Sequence, residues 1–285
     1  MRPIITTGAA CLLRGRGGAA IAAIVGAGLA LAFALPTAAW AGELRLATTH
    51  TLNDSGLLAT VLPAFARESG IRVTPLVAGS GQTLQFAERG DADLVWSHSP
   101  IDEERFVAAG FGTRRTMVMS NAFVLLGPRS DPAKIAGESD VVAALKKIAA
   151  AKVRFVSRAD ASGTHRKEMA LWRAAGLQPA GAWYIAAGVG MGATLRIADE
   201  RNAYVLADEA TFAAQKRQFD LFVVAEGDPR LANIYAVIPV NPARVPGVDA
   251  AAAEAFVRWV TAGNGRTLIA AYRIGGATVF HVPRN

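Results

Sequence analysis

Arg158, Asp160, Ser162 and Thr164 stand within seven residues of one another, with Gly163 between the two hydroxyls. Three of these side chains donate hydrogen bonds and one accepts. The guanidinium is a permanently charged planar fork, and Ser and Thr each offer one O–H. Chemistry of that kind catches an oxyanion. The flanking elements must hold it in place. Residues 153–156 are β-branched and aromatic and read as a strand; residues 166–175 carry Met169, Leu171 and Trp172 at helical spacing and are stopped by Gly176. The loop therefore lies at the carboxyl end of a strand and the amino end of a helix. Open α/β sheets bind ligands at such places, and the unpaired N–H groups there carry about half a positive charge. The plainer reading is a capped helix, with Asp160 or Ser162 as N-cap.

The loop rises above a cap because its character recurs. Thr48, Thr49 and Thr51 follow a strand at 44–47, Ser80 and Gly81 follow one at 71–78, and Gly190, Met191, Gly192, Ala193 and Thr194 follow an extended stretch at 183–185. Glycine lets backbone N–H groups approach a small ligand closely. The repeated order strand, loop, helix is the mark of a parallel, doubly wound α/β fold. Pro63 lies inside the helical stretch 57–68 and is expected to kink it or shift its start. Extended runs at 116–119 and 122–126 lead to a polar turn at Gly127-Pro128, and Glu226-Gly227-Asp228-Pro229 is a second turn. Placing a crossing at each gives two lobes, 43–127 plus 231–285 and 128–230, each a sheet flanked by helices. A cleft between them would close on a ligand by hinge motion.

The 285 residues are 52% hydrophobic and 19% charged, with net charge +7, a globular composition. Arg2, Arg14 and Arg16 precede an uncharged apolar run at 19–36 and then Ala39-Trp40-Ala41, the three-part pattern of a secretory signal peptide cleaved after Ala41. A retained membrane anchor is the alternative. Loss of residues 1–41 removes three arginines and no acid, leaving +4. The one cysteine, Cys11, lies before the apolar run, so the mature chain has no thiol, disulfide or thiolate metal site. Lysines and arginines are not clustered with aromatics, so nucleic acid is not an expected partner. The expected product is a mildly basic monomer in the periplasm, suited to a small anion and needing no cofactor.

Ser162, His165 and Asp160 invite a hydrolase reading, but six consecutive positions at a helix start cannot supply a relay geometry, and no Gly-x-Ser-x-Gly elbow is present. No enzyme activity is expected. His50, His98 and His165 all follow strands and could in principle share a metal; hydrogen bonding to loop backbone is the simpler role. Asp54 and Asp160 decide which anion fits. Phosphate near neutral pH keeps a proton and gains from an acceptor, whereas sulfate, molybdate and tungstate are repelled by one. The simpler reading of both aspartates is as helix caps, and of Asp160 also as a partner that orients Arg158.

Thr48-Thr49-His50-Thr51 before Asp54-Ser55-Gly56-Leu57-Leu58, then Gly79-Ser80-Gly81-Gln82 and Gly90-Asp91-Ala92-Asp93, resemble the tungstate-binding proteins of ABC importers, the TupA type. So do Ser157-Arg158 with Asp160 and Ser162-Gly163-Thr164-His165, and Trp183-Tyr184 with Gly190-Met191-Gly192-Ala193-Thr194. The resemblance spans the mature chain. It implies a two-lobed type II periplasmic-binding fold, capture of tungstate or molybdate, and delivery to a membrane permease driven by a cytoplasmic ATPase. It also implies ligand contacts from Thr49, Thr51, Ser80, Arg158, Ser162, Thr164 and the turn Gly192-Ala193-Thr194. His50 and Thr51 depart from the usual Thr-Ser of the first loop, Ser80 stands where Thr is usual, and Val189 where a polar residue is common. Phosphate-binding relatives place an aspartate after the strand that here ends Trp96-Ser97-His98-Ser99-Pro100; this chain has none. Phosphate or sulfate binding, or a secreted hydrolase, are the other readings.

Overall fold

The computed structural model describes residues 41–284. The expected leader, Cys11 included, lies outside the described residues except for Ala41. Among the described residues no helix is long and apolar enough to cross a membrane.

The chain begins β1 (Gly42–Thr49), α1 (His50–Asp54), α2 (Leu57–Ser69), β2 (Ile71–Ala78), α3 (Ser80–Glu88), β3 (Leu94–Ser97), α4 (Pro100–Ala108) and β4 (Thr116–Gly127). It continues α5 (Val141–Ala151), β5 (Phe155–Ser157), α6 (Gly163–Ala174), β6 (Tyr184–Ala186), α7 (Met191–Glu200), β7 (Tyr204–Asp208), α8 (Glu209–Gln215) and β8 (Phe222–Ala225). β9 (Ala232–Pro239), α9 (Ala250–Ala262), α10 (Asn264–Ala271) and a hairpin of β10 (Arg273–Ile274) with β11 (Ala277–Thr278) close it.

The strands run β2-β1-β3-β9-β4-β7-β5-β6, with β8 on β4. β1 is parallel to β2 and β3, and β5 is parallel to β6 and β7, as strand–loop–helix order requires. β9 and β4 interrupt that order: β9 is antiparallel to both β3 and β4, and β4 to β7. The sheet is therefore mixed rather than purely parallel. The two runs expected at 116–119 and 122–126 are one strand, β4. Its first part, Thr116 to Ala122, pairs with β9, and its second part, Phe123 to Gly127, with β7 and β8. Ser120 and Asn121 look like a break in the sequence because they are polar. In the fold Ser120 exchanges main-chain hydrogen bonds with His281, and the Asn121 side chain turns into a buried polar network.

Each half has apolar cores on both sheet faces. Trp96, Phe65 and Phe256 sit on one face of the first half, Leu84, Phe106 and Ile238 on the other. Phe155, Trp172 and Leu145 sit on one face of the second, Leu195, Val205 and Phe212 on the other. Pro63 does not end α2. It lies on the exposed side, as does Ala59, the residue whose carbonyl a Pro63 N–H would otherwise bond.

Candidate functional site

Each of the four loops ends as a helix start. Thr49 caps α1 by accepting from the Leu52 N–H, and Ser162 caps α6 by accepting from the His165 N–H. Gly79 and Gly190 precede α3 and α7 in extended conformation, with no side-chain cap. The first-turn N–H groups of these helices, including those of Ser80, Gly81, Gly192 and Ala193, have no bond within their helix.

The third loop is bent to fit. Ala159 and Ala161 both have positive φ, 49° and 56°, in the left-handed region that alanine rarely adopts. The alternation swings the Asp160 carboxylate back onto its neighbours. It accepts from Arg158 Nη2 and from the Ser162 N–H. Asp160 thus orients Arg158 and braces the turn. Arg158 is 2% exposed. Its Nη1 reaches Thr164 Oγ1 at 3.5 Å, and its Nε has no partner. Burial works against its charge, and the nearby carboxylates of Asp160, Asp54 and Asp208 work for it.

The loops meet across the two halves. The Gly163 N–H donates to Ser80 Oγ at 3.0 Å, joining α6 to α3. A Cβ at Gly163 would stand 3.0 Å from Ser80 Oγ and 3.1 Å from the His98 ring, tight enough that one of those side chains would have to give by a few tenths of an ångström. Thr49 Oγ1 and Thr51 Oγ1 are 3.0 Å apart, and Thr51 Oγ1 is 2.9 Å from His98 Nε2. α1 packs on α7, with His50 beside Gly190. Thr49, Thr51, Ser80, Arg158, Ser162 and Thr164 are all buried.

The hydroxyl protons sort these residues. Ser80, Ser162 and Thr164 accept from neighbouring N–H groups and keep their own protons to give. Thr48 gives its proton to the Trp96 carbonyl, and Thr194 to the carbonyls of Val189 and Gly190. Those two hydroxyls hold a strand and a helix start together, so what α7 offers is the backbone of Gly192 and Ala193. Gly192 is partly buried beside Gln215, and the Ala193 side chain is exposed.

Ser162, His165 and Asp160 form no relay. Ser162 Oγ accepts from the His165 backbone, and His165 Nδ1 accepts from the Ala161 N–H. Among the described residues no group of three or more His, Cys, Asp or Glu is arranged to hold a metal. The Gly90-Asp91-Ala92-Asp93 element is structural: buried Asp93 accepts from the Arg45 backbone and side chain and from the Asp249 N–H.

Sequence reasoning missed a buried chain behind the first loop. Asp208 Oδ2 accepts from Asn121 Nδ2, Asn233 Nδ2 and the Tyr235 hydroxyl, while Oδ1 accepts from the Thr211 N–H. Asn233 Oδ1 then faces His98 Nδ1 at 2.8 Å. His98 carried a signal as a polar residue after a strand; Asn121, Asn233 and Asp208 carried none, lying on β4, β9 and β7.

A mixed α/β sheet with helix starts at its strand ends, one of them beside a buried arginine, is a scaffold that can hold a small ligand. A family model described as the PBP superfamily domain matches residues 36–264. The tungstate-binding protein TupA of Peptoclostridium acidaminophilum is 45% identical over 233 residues, 81% of this chain and 82% of that protein. The crystal structure of the tungstate ABC transporter from Geobacter sulfurreducens matches with 42% identity and a TM-score of 0.75, covering 81% of this chain and 98% of that one. The tungstate-binding protein TupA from Desulfovibrio alaskensis G20 matches with 37% identity and a TM-score of 0.74, over 86% and 100%. The chain belongs to the TupA family of tungstate-binding proteins within the PBP superfamily.

Proposed function

We propose that this chain is the solute-binding component of an ABC importer, that it binds tungstate between its two lobes, and that it changes no bond. The observation that carries the reading is Arg158. A buried guanidinium, steadied by Asp160 and left with an unpartnered Nε, is the donor half of an ion pair. Around it the N–H groups of four helix starts and the hydroxyls of Thr49, Ser80, Ser162 and Thr164 replace a hydration shell. Of the three aspartates near Arg158, Asp160 is engaged with that arginine and Asp208 with three side-chain donors, so neither awaits the proton of a hydrogen phosphate. The Asp54 oxygen accepts from Asn53.

The lobes are 43–127 plus 231–285 and 128–230, hinged at β4 and at the segment entering β9. The chain is exported, loses residues 1–41, and works as a periplasmic monomer that hands its anion to a permease driven by a cytoplasmic ATPase. Competition titration of the purified chain with tungstate, molybdate, sulfate and phosphate tests the binding. Tungstate is expected to displace sulfate and phosphate; phosphate binding as tightly as tungstate would overturn it. Sequencing the amino terminus of the exported protein tests the leader, with Gly42 expected as the first residue.

A further inference from the structure

The buried chain behind the first loop fixes the direction of every hydrogen bond along it. Asp208 accepts hydrogen bonds on both oxygens, from two amide nitrogens, a tyrosine hydroxyl and a backbone N–H. The Asn233 atom facing it must be the amide nitrogen, which leaves Asn233 Oδ1 to accept from His98 Nδ1–H. With its proton on Nδ1, a neutral His98 has only a lone pair on Nε2. Thr51, 2.9 Å away, must then give its hydroxyl proton to His98. That proton is turned inward and does not reach an anion held by Arg158. A second proton on His98 reverses the bond. Nε2–H donates to Thr51, and the Thr51 hydroxyl is released to donate outward, beside that of Thr49, 3.0 Å away.

We infer that His98 is a positioning residue for the oxyanion, acting through Thr51, and that binding of a dianion draws a proton onto it. The inference rests on the proposed reading of the site. His98 is 3% exposed, stacked on Tyr235 with ring centroids 4.8 Å apart and beside Phe123. Tyr235, whose hydroxyl also lies beside Thr51, has given its own proton to Asp208. Among charged groups, Asp208 and Glu103 favour a charged ring and Arg158 opposes it. Burial opposes it most, so the ring is held neutral before the anion arrives. A dianion at Arg158 adds negative charge next to Gly163, whose Cβ position is 3.1 Å from Nε2, and tips the balance. Glu103 itself is committed to Ser97, the Ser99 N–H and Arg115.

Calorimetry of tungstate binding to the purified chain, in buffers of different ionisation enthalpy near neutral pH, counts the protons. About one proton should be taken up per tungstate, with affinity rising by up to about tenfold per pH unit as pH falls. H98Q should abolish the uptake, since an amide does not titrate. T51V, which leaves His98 and Asn233 in place, should weaken but not abolish binding, through Arg158 and Ser80, while the uptake falls away; it decides the matter if H98Q fails to fold. Tungstate binding with no proton exchanged overturns the inference and leaves the function standing. Uptake that persists in H98Q and T51V but vanishes in H50Q or H165Q also overturns it. Failure of the wild-type chain to bind tungstate or molybdate at any pH removes the reading on which it rests.

Discussion

Arg158 shows how one residue can be held ready. Its guanidinium is fastened by Asp160 at one corner and by Thr164 at another, and the remaining Nε points at no protein acceptor. R158A should weaken tungstate binding by about 1.5–3 kcal/mol or more, the range for hydrogen bonds to charged groups. Titration calorimetry reads this, and an unchanged affinity would remove Arg158 from the site. Glu168 makes a different prediction. It is 2% exposed and accepts from Tyr184 OH at 2.7 Å and Trp172 Nε1 at 3.1 Å. Burial pushes its carboxyl from an ordinary 4.5 up to about 7, against those two hydrogen bonds. The folded chain therefore keeps a proton that the unfolded chain has lost. Its contribution is fully present below about pH 4.5 and is lost as pH rises through about 7, on the order of 3 kcal/mol in all. Denaturant titrations at about pH 5 and 8 should show the fall, and E168Q should flatten it; equal slopes in the two proteins would acquit Glu168.

Among the elements, α6 has the most demanding start. Its first residue, Gly163, faces Ser80 and His98 at distances that a methyl would crowd by a few tenths of an ångström. Since the contact lies between halves and not inside a core, G163A should weaken anion binding tenfold or more, an order-of-magnitude expectation from a few tenths of an ångström of overlap at a close-packed contact. Its melting temperature should stay within a few degrees. A variant that binds normally would mean that closure does not need this contact. The alternating left-handed residues before it, Ala159 and Ala161, store strain at the site. Replacing Ala161 with Gly relieves it, and a thermal scan should show a gain in stability of about 0.5–1 kcal/mol; a loss would mean the turn is not strained.

Across the whole molecule, the proposed two-lobe division would leave bonds between the lobes that opening must break. Arg166 on α6 meets Asp102 on α4 at 2.7 Å, and Lys167 donates to the carbonyl of Ala232 at the start of β9. The Arg166 side chain is 45% exposed, so its ion pair is worth little to folding. Its effect belongs to release: R166A should speed tungstate dissociation about two- to fivefold at low salt, with the difference shrinking as salt is added. Stopped-flow release that is the same in both proteins would place the latch elsewhere.

The four strand-end loops, their helices and the α/β class could be read directly from the chain. Hydroxyls, glycines and apolar periodicity act over a few residues, and a cap or a strand end is settled by its neighbours. Asp160 could be read only as two alternatives, because whether a carboxylate faces a ligand or an arginine depends on two backbone angles at Ala159 and Ala161 that composition does not announce. The continuity of β4 through Ser120 and Asn121, the antiparallel insertion of β9, and the partnership of His98 with Asn233 and Asp208 needed the folded molecule. Those partners are separated by 135 and 25 positions. Such a hydrogen bond leaves no local pattern; it exists because distant strands are laid side by side in a water-free interior, where each buried donor must find an acceptor.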